Sequence, residues 1–167
     1  MKRVVVTFCA TFIACALAAA TPPPPLPKKP ADSGWAVTMS KVKDKSLLLR
    51  VRKEVPDGVQ PEKYPTAIEM YWKYAPDSQG MPDAKVAAQI YKLEATIDPI
   101  QGDHLGYVMM IVTGSGERTW LWYVADPKAF GAALNRLLPG HPFPITLNAG
   151  ANEPDWKTYR AMREKVK

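Results

Sequence analysis

Hydrophobic and polar positions alternate along much of this chain, and the period of the alternation changes from segment to segment. Trp35, Val37 and Met39 fall on one side of a stretch ending at Val42, and Leu47, Leu49 and Val51 fall together in the next. With the turn Lys43-Asp44-Lys45-Ser46 between them, these read as a β-hairpin. The prolines at 56, 61 and 65 then enforce a loop, because no regular ladder survives that spacing. Thr66 to Ala75 alternates again, with Ile68, Met70, Trp72 and Tyr74 on one face. From Asp83 to Ile97 the period lengthens: Val86, Ile90, Leu93 and Ile97 form one helical stripe. Leu105 to Thr113 is apolar on both faces and predicts a central strand. Gly114-Ser115-Gly116-Glu117 supplies a tight turn, and Arg118 to Ala125 the returning partner strand.

Asp126-Pro127 reads as an N-cap followed by proline at the first helical position. Phe130, Leu134, Leu137 and Leu138 give that second helix its stripe. Phe143, Ile145 and Leu147 mark a last strand, and a third helix is expected from about Pro154, with Trp156, Tyr159, Met162 and Val166 along one side. Residues 66–150 therefore run β-α-β-β-α-β, the order of the ferredoxin-like split unit, with an extra hairpin before it and an extra helix after it. The expected class is α+β, with right-handed crossovers placing two helices on one face of an antiparallel sheet.

Three aromatics crowd the segment RTWLWYVAD, residues 118–126. Alternation divides them: Trp120, Trp122 and Val124 go to one face, Leu121, Tyr123 and Ala125 to the other. One face should meet the helices; the other needs a cover, from the hairpin or the C-terminal helix. Core packing is the plainer role for Trp120 and Trp122, and a ligand platform the sharper one.

The N-terminus changes the picture of where the chain works. Lys2 and Arg3, an apolar run from Val4 to Leu17, and Ala18-Ala19-Ala20 compose an export signal over residues 1–20. The run is short and interrupted by Thr7 and Thr11, unlike a membrane span, so no transmembrane segment is expected in the mature chain. Phe12-Ile13-Ala14-Cys15 is a loose lipobox, which leaves lipid anchoring at Cys15 as a variant. Cys9 and Cys15 both precede Ala20, so cleavage there removes every cysteine, and disulfide, thiol and zinc–thiolate chemistry with them. Residues 21–34, TPPPPLPKKPADSG, read as a proline-rich linker, and residues 35–167 as one domain long enough to bury about two thirds of its unfolded surface.

The formal charge is +6, and loss of Lys2 and Arg3 with the leader lowers it by two. The excess concentrates in Lys41, Lys43, Lys45, Arg50, Arg52 and Lys53, with Asp44 as the near acid. Such a run is a solvated hairpin or a contact surface for an anionic partner. Lys43, Arg50 and Arg52 join Trp120 and Trp122 as candidate binding residues.

Catalytic motifs are sparse. His104 follows Gly102-Asp103 in a turn, and His141 lies among prolines. A hydrolase would need one of them beside a carboxylate. HExxH and GxSxG are absent, and no metal-ligand spacing or cofactor motif is present. Gly114-x-Gly116 leads into a strand, which is not the geometry of a phosphate loop. Asp77, Asp83, Glu153 and Asp155 suit turns and helix caps. Gly106-Tyr107 matches a fragment of the RNA-recognition signature, but Val108-Met109-Met110-Ile111 lacks the base-stacking aromatics, so nucleic acid is not an expected partner.

Several short runs, in this order, resemble domain of unknown function 695. They are Arg50-Val-Arg52, Gly80-Met81-Pro82, Leu93-Glu94, TGSGERTWLWYV, and Asp155-Trp156 with Tyr159. The similarity covers most of Trp35 to Glu164. It implies a ferredoxin-like α+β build and no assigned activity or catalytic residue. Some relatives carry a further domain similar to regulator of ribonuclease activity B, which this sequence lacks. The expectation is an exported, non-catalytic module of the cell envelope that contacts a protein or an anionic polymer, with a histidine hydrolase as the alternative.

Overall fold

The computed structural model describes residues 34–42 and 44–166. The leader with Cys9, Cys15 and Ala20, the linker before Gly34, and Lys43 lie outside the described residues. Six strands form one sheet: β1 (Trp35–Val42), β2 (Lys45–Arg52), β3 (Thr66–Lys73), β4 (Gly106–Gly114), β5 (Glu117–Val124) and β6 (Ile145–Asn152). Their order across the sheet is β1-β2-β4-β5-β3-β6, and every neighbouring pair is antiparallel. Helix α1 (Ala84–Ile97) and the short α2 (Pro99–Gly102) join β3 to β4. Helix α3 (Pro127–Leu137) joins β5 to β6, and α4 (Lys157–Lys165) ends the fold. The class is α+β.

Local chemistry sets the boundaries. Asp83 accepts the Val86 N–H at 2.7 Å and starts α1, and Asp126 accepts the Lys128 N–H at 2.8 Å ahead of Pro127. The β4–β5 turn has φ of 52° at Ser115 and 82° at Gly116, the paired positive values that match the twist of a two-residue hairpin. Asp77 ties the loop before α1 by accepting from Gln79 N and Met81 N. That loop is strapped to the hairpin turn where Gly116 N donates to Gly80 O at 3.1 Å. Gly80 has φ of 89°, and a Cβ there would press on the Ser115 backbone, so glycine is required twice over.

Two cores lie on the two faces of the sheet. Ile68, Met70, Trp72, Val108, Ile111, Trp120, Trp122 and Val124 meet α1, α2 and α3. Leu49, Val51, Ala67, Tyr107, Met109, Leu121 and Tyr123 meet Trp156 and Tyr159 at the start of α4. Full burial of each large apolar side chain contributes about 1.5–3 kcal/mol before chain entropy is counted. Trp156 stacks on Tyr123 with centroids 4.7 Å apart and planes 14° apart, and its Nε1 donates to Tyr64 O at 2.9 Å. That second bond recruits the proline loop, whose Val55, Val59 and Tyr64 complete the cover.

Three features depart from the pattern read off the residues. The N-terminal hairpin does not cover a face; β2 pairs with β4 and widens the sheet. The last helix begins at Lys157, with Trp156 in the left-handed region at φ 53°, and the carboxylate that caps it belongs to Glu153 rather than Asp155. Glu153 accepts from Thr158 N at 3.1 Å and Thr158 Oγ1 at 2.7 Å. Finally, β4 carries a bulge between Val108 and Met110, which turns both Met109 and Met110 toward the α4 face and resets the alternation.

Candidate functional site

The helix-side face of the hairpin extends past α1 and stays open. Cross-strand register pairs Trp35 with Arg52 and Val37 with Arg50, so Trp35, Val37, Met39 and Lys41 share one face with Arg50 and Arg52. Arg50 in turn pairs with Ile111, whose side chain is in the helix-side core, which fixes the face they all occupy. Val37 is 61% exposed and Met39 65% exposed. Trp35 packs its inner edge on the core while the Arg50 and Arg52 guanidinium carbons stand 5.0 and 4.9 Å from its ring centroid. The surface is thus apolar and cationic at once.

Beside this face, between β2 and α1, lies a recess of about 210 Å³ lined by Leu48, Ala87, Ile90 and Tyr91 with Thr113 and Arg118 at its base. Arg118 is 5% exposed. Its Nε and Nη2 donate to one oxygen of Glu94, at 3.1 and 2.5 Å, and its Nη1 donates to Thr113 Oγ1 at 2.7 Å. The same Glu94 oxygen accepts the Trp120 Nε1–H at 2.7 Å. A buried cation, a carboxylate and an indole are therefore closed upon each other. The arrangement neutralises Arg118 and ties α1 to β5.

The candidate residues separate when placed on this frame. Trp120 and Trp122 are each 1% exposed and pack among the helices, so neither presents a ring to a ligand. Arg52 serves the β4 bulge: Nε donates to Val108 O at 2.9 Å, and Nη2 donates to Gln101 Oε1 at 3.0 Å, which also accepts the Val108 N–H at 3.3 Å. Val108 is the last residue paired with β5 before the bulge, and two side chains satisfy the backbone groups it turns away from β5. Arg50 lies on the open face, half-buried over Trp35.

The histidines do not gather a catalytic set. His104 Nδ1 meets the Tyr107 hydroxyl at 2.6 Å, while Asp103 faces Arg136 at 3.6 Å. Burial pushes the Tyr107 hydroxyl up to about 12, with the neighbouring Tyr64 adding to the shift, so that phenol keeps its proton at neutral pH. His141 is exposed in the loop after α3. Among the described residues no group of three or more His, Cys, Asp or Glu is gathered as a metal ion would require. No helix among them is long and apolar enough to cross a membrane.

Tyr123, Glu153 and Thr158 form a second polar knot, on the opposite face. Tyr123 Oη donates to Glu153 Oε2 at 2.9 Å and accepts the Tyr159 N–H at 3.2 Å. Burial pushes the Tyr123 phenol well above its usual range, and the Glu153 carboxylate adds to that. For Glu153, burial alone would raise the carboxyl; the Thr158 and Tyr123 hydrogen bonds and the Lys157 charge together outweigh it and hold the group below its ordinary value. This knot fastens α4, and it too is internal.

What the fold and its surface define is a small α+β domain with two polar knots sealed inside and a cationic, partly apolar hairpin edge. The chain belongs to the family of unknown function DUF695, whose profile matches residues 33–162. No curated protein and no solved structure matches it.

Proposed function

We propose that the chain is an exported, non-catalytic binding module of the cell envelope, holding a protein or an anionic polymer against its N-terminal hairpin. The observation that carries this reading is the hairpin itself, where Lys41 and Arg50 flank exposed Val37 and Met39 on one face, and Lys45 and Lys53 lie with Val42 on the other. Fixed positive charge beside apolar surface favours an anionic partner with some apolar character. Lys2, Arg3 and the apolar run to Leu17 support export, with cleavage after Ala20, or lipid attachment at Cys15 as the variant. The prolines of residues 21–34 suit a spacer that holds the domain away from its point of release.

The reading includes a ferredoxin-like topology for the unit β3-α1-β4-β5-α3-β6. Support comes from strand order: numbered one to four in sequence, its strands run two, three, one, four across the sheet. The hydrolase alternative draws no support from the histidines, since neither His104 nor His141 is paired with a carboxylate among the described residues.

Two measurements test the proposal. Fractionation with N-terminal analysis of the product should find it outside the cytoplasm and beginning at Thr21; a full-length cytoplasmic chain defeats export. The purified chain should co-sediment with isolated envelope at low salt, and Lys41→Glu with Lys45→Glu should release it. Absence of association at low salt overturns the module.

A further inference from the structure

We infer that β1 is a docking edge for an extended acidic polypeptide segment, which adds to the sheet as a further strand beside it. The inference rests on the module reading and narrows its partner to one kind. Strand β1 is at the end of the sheet, eight residues long, with no proline and a single charged residue, Lys41. Edges of this length are ordinarily blunted by prolines, several charges or a covering loop. Here the outer side of β1 has no backbone partner among the described residues.

The direction of the backbone groups follows from the register. Gly34 O accepts from Lys53 N at 2.8 Å, so Gly34 and, by alternation, Ala36, Thr38, Ser40 and Val42 aim their backbone groups at β2. Ser46, opposite Lys41, sends its N–H the other way, to Gln79 O at 2.8 Å, which agrees with that alternation. Trp35, Val37, Met39 and Lys41 therefore point their N–H and C=O groups outward, four donors and four acceptors in ladder spacing.

Charge selects the occupant. Lys41, Lys45, Arg50, Arg52 and Lys53 are on the hairpin, with Asp44 and Glu54 as the acids within or next to it. A second copy pairing edge to edge would bring two such clusters together, and repulsion opposes it. The chain's own linker is excluded by its chemistry: six prolines between Thr21 and Gly34 lack the N–H a ladder needs, and Lys28 and Lys29 repeat the charge. An acidic segment of strand-forming residues satisfies all three conditions. Its backbone continues the ladder, its apolar side chains cover Val37 and Met39, and its carboxylates meet Lys41.

The test uses the full mature chain and a synthetic ten-residue peptide with valine and glutamate at every second position, so that both fall on one face, and threonine between them. The same peptide N-methylated along one edge, and a polyglutamate of equal charge, serve as controls. Binding is read by fluorescence anisotropy, and the site by amide shifts of residues 35–41. The parent peptide should bind in a salt-sensitive way. N-methylation of the edge facing β1 should weaken it about tenfold, equivalent to about 1.4 kcal/mol. Met39→Pro deletes an outward donor and leaves the inner ladder intact, so it should weaken binding similarly with the fold retained by circular dichroism. Lys41→Glu should do the same. If the N-methylated peptide and polyglutamate bind as well as the parent, contact is by charge alone: strand addition is overturned and the module reading survives. If the parent peptide fails but anionic polymer binds, the outcome is the same. If neither binds, both fall. A salt-stable dimer dispersed by Met39→Pro would assign the edge to a second copy instead and overturn the acidic partner. Should Met39→Pro unfold the domain, the N-methylated peptide decides alone.

Discussion

Replacing Glu94 with alanine tests whether the buried ion pair holds α1 to the sheet. One oxygen of Glu94 accepts from Arg118 twice and from Trp120 Nε1 once, and the two charged side chains are 6% and 18% exposed. Removing one partner of a buried pair costs about 3–5 kcal/mol, because the remaining charge stays desolvated. Glu94 retains some contact with water, which argues for the lower end of that range. The orphaned indole N–H adds about 1 kcal/mol, not fully independently. The expected loss is therefore about 4 kcal/mol, a large share of the 5–15 kcal/mol typical of a domain. For a folded region of this size that corresponds to a fall in Tm of about 12–16 °C. Urea unfolding followed by circular dichroism gives the free energy, and scanning calorimetry gives Tm. The double variant Glu94→Leu with Arg118→Met should recover most of the loss, since an apolar pair of similar volume avoids the desolvation altogether. A loss below about 1 kcal/mol for Glu94→Ala, in the range of exposed pairs, would show that water screens the pair, and the assignment of Arg118 as a sealed structural cation would fail.

The two helix-side tryptophans should respond differently to phenylalanine. Trp120 gives up its bond to Glu94, whereas Trp122 Nε1 is buried with no hydrogen-bond partner, so Trp122→Phe should be the milder change by about 1 kcal/mol in urea unfolding. Arg52→Ala should uncover Val108 O at the β4 bulge, costing about 1–3 kcal/mol and raising hydrogen exchange at Val108 and Met109. Glu153→Gln should destabilise the domain at neutral pH and remove part of its acid sensitivity. A carboxyl held below its ordinary value contributes stability above a pH of about 4.3 and loses it as pH falls through the folded value. The gap between wild type and Glu153→Gln in urea should narrow as pH falls from there.

Much of the fold was legible because two-residue and 3.6-residue periods are properties of one chain segment at a time. Ile68, Met70 and Trp72 alternate inward as their spacing requires, and Ile90, Leu93 and Ile97 are the buried face of α1. Asp83 and Asp126 cap their helices because an acceptor ahead of a helical stripe has little else to do locally. What stayed hidden depends on contacts distant in sequence. Nothing between Lys92 and Ile97 reveals that Glu94 will meet Arg118, and neither Arg50-Val-Arg52 nor Gly106-Tyr107 signals a bulge that Arg52 must plug. The choice of Glu153 over Asp155 as the α4 cap has a local reason. Asp155 stands at a plausible capping distance, but Trp156 adopts a left-handed conformation to stack on Tyr123, and that turn brings Glu153 into range of Thr158 instead.

The family motifs take on a physical meaning from these contacts. Arg52 closes the bulge, Gly80 admits the hairpin turn, Glu94 and Arg118 neutralise each other, and Trp156 and Tyr159 seal the second face. Arg52, Glu94, Arg118, Trp120, Trp156 and Tyr159 each spend a polar group inside the fold. A family held together by such residues shares a scaffold, and a scaffold alone does not specify a ligand. On the module reading, specificity resides where the scaffold leaves side chains and backbone uncommitted, and the outer side of β1 is such a place. Relatives that bind different partners should accordingly differ at the positions matching Val37, Met39 and Lys41, while keeping the Glu94–Arg118 pair. A set of relatives varying at the pair but constant along the edge would contradict this division of labour.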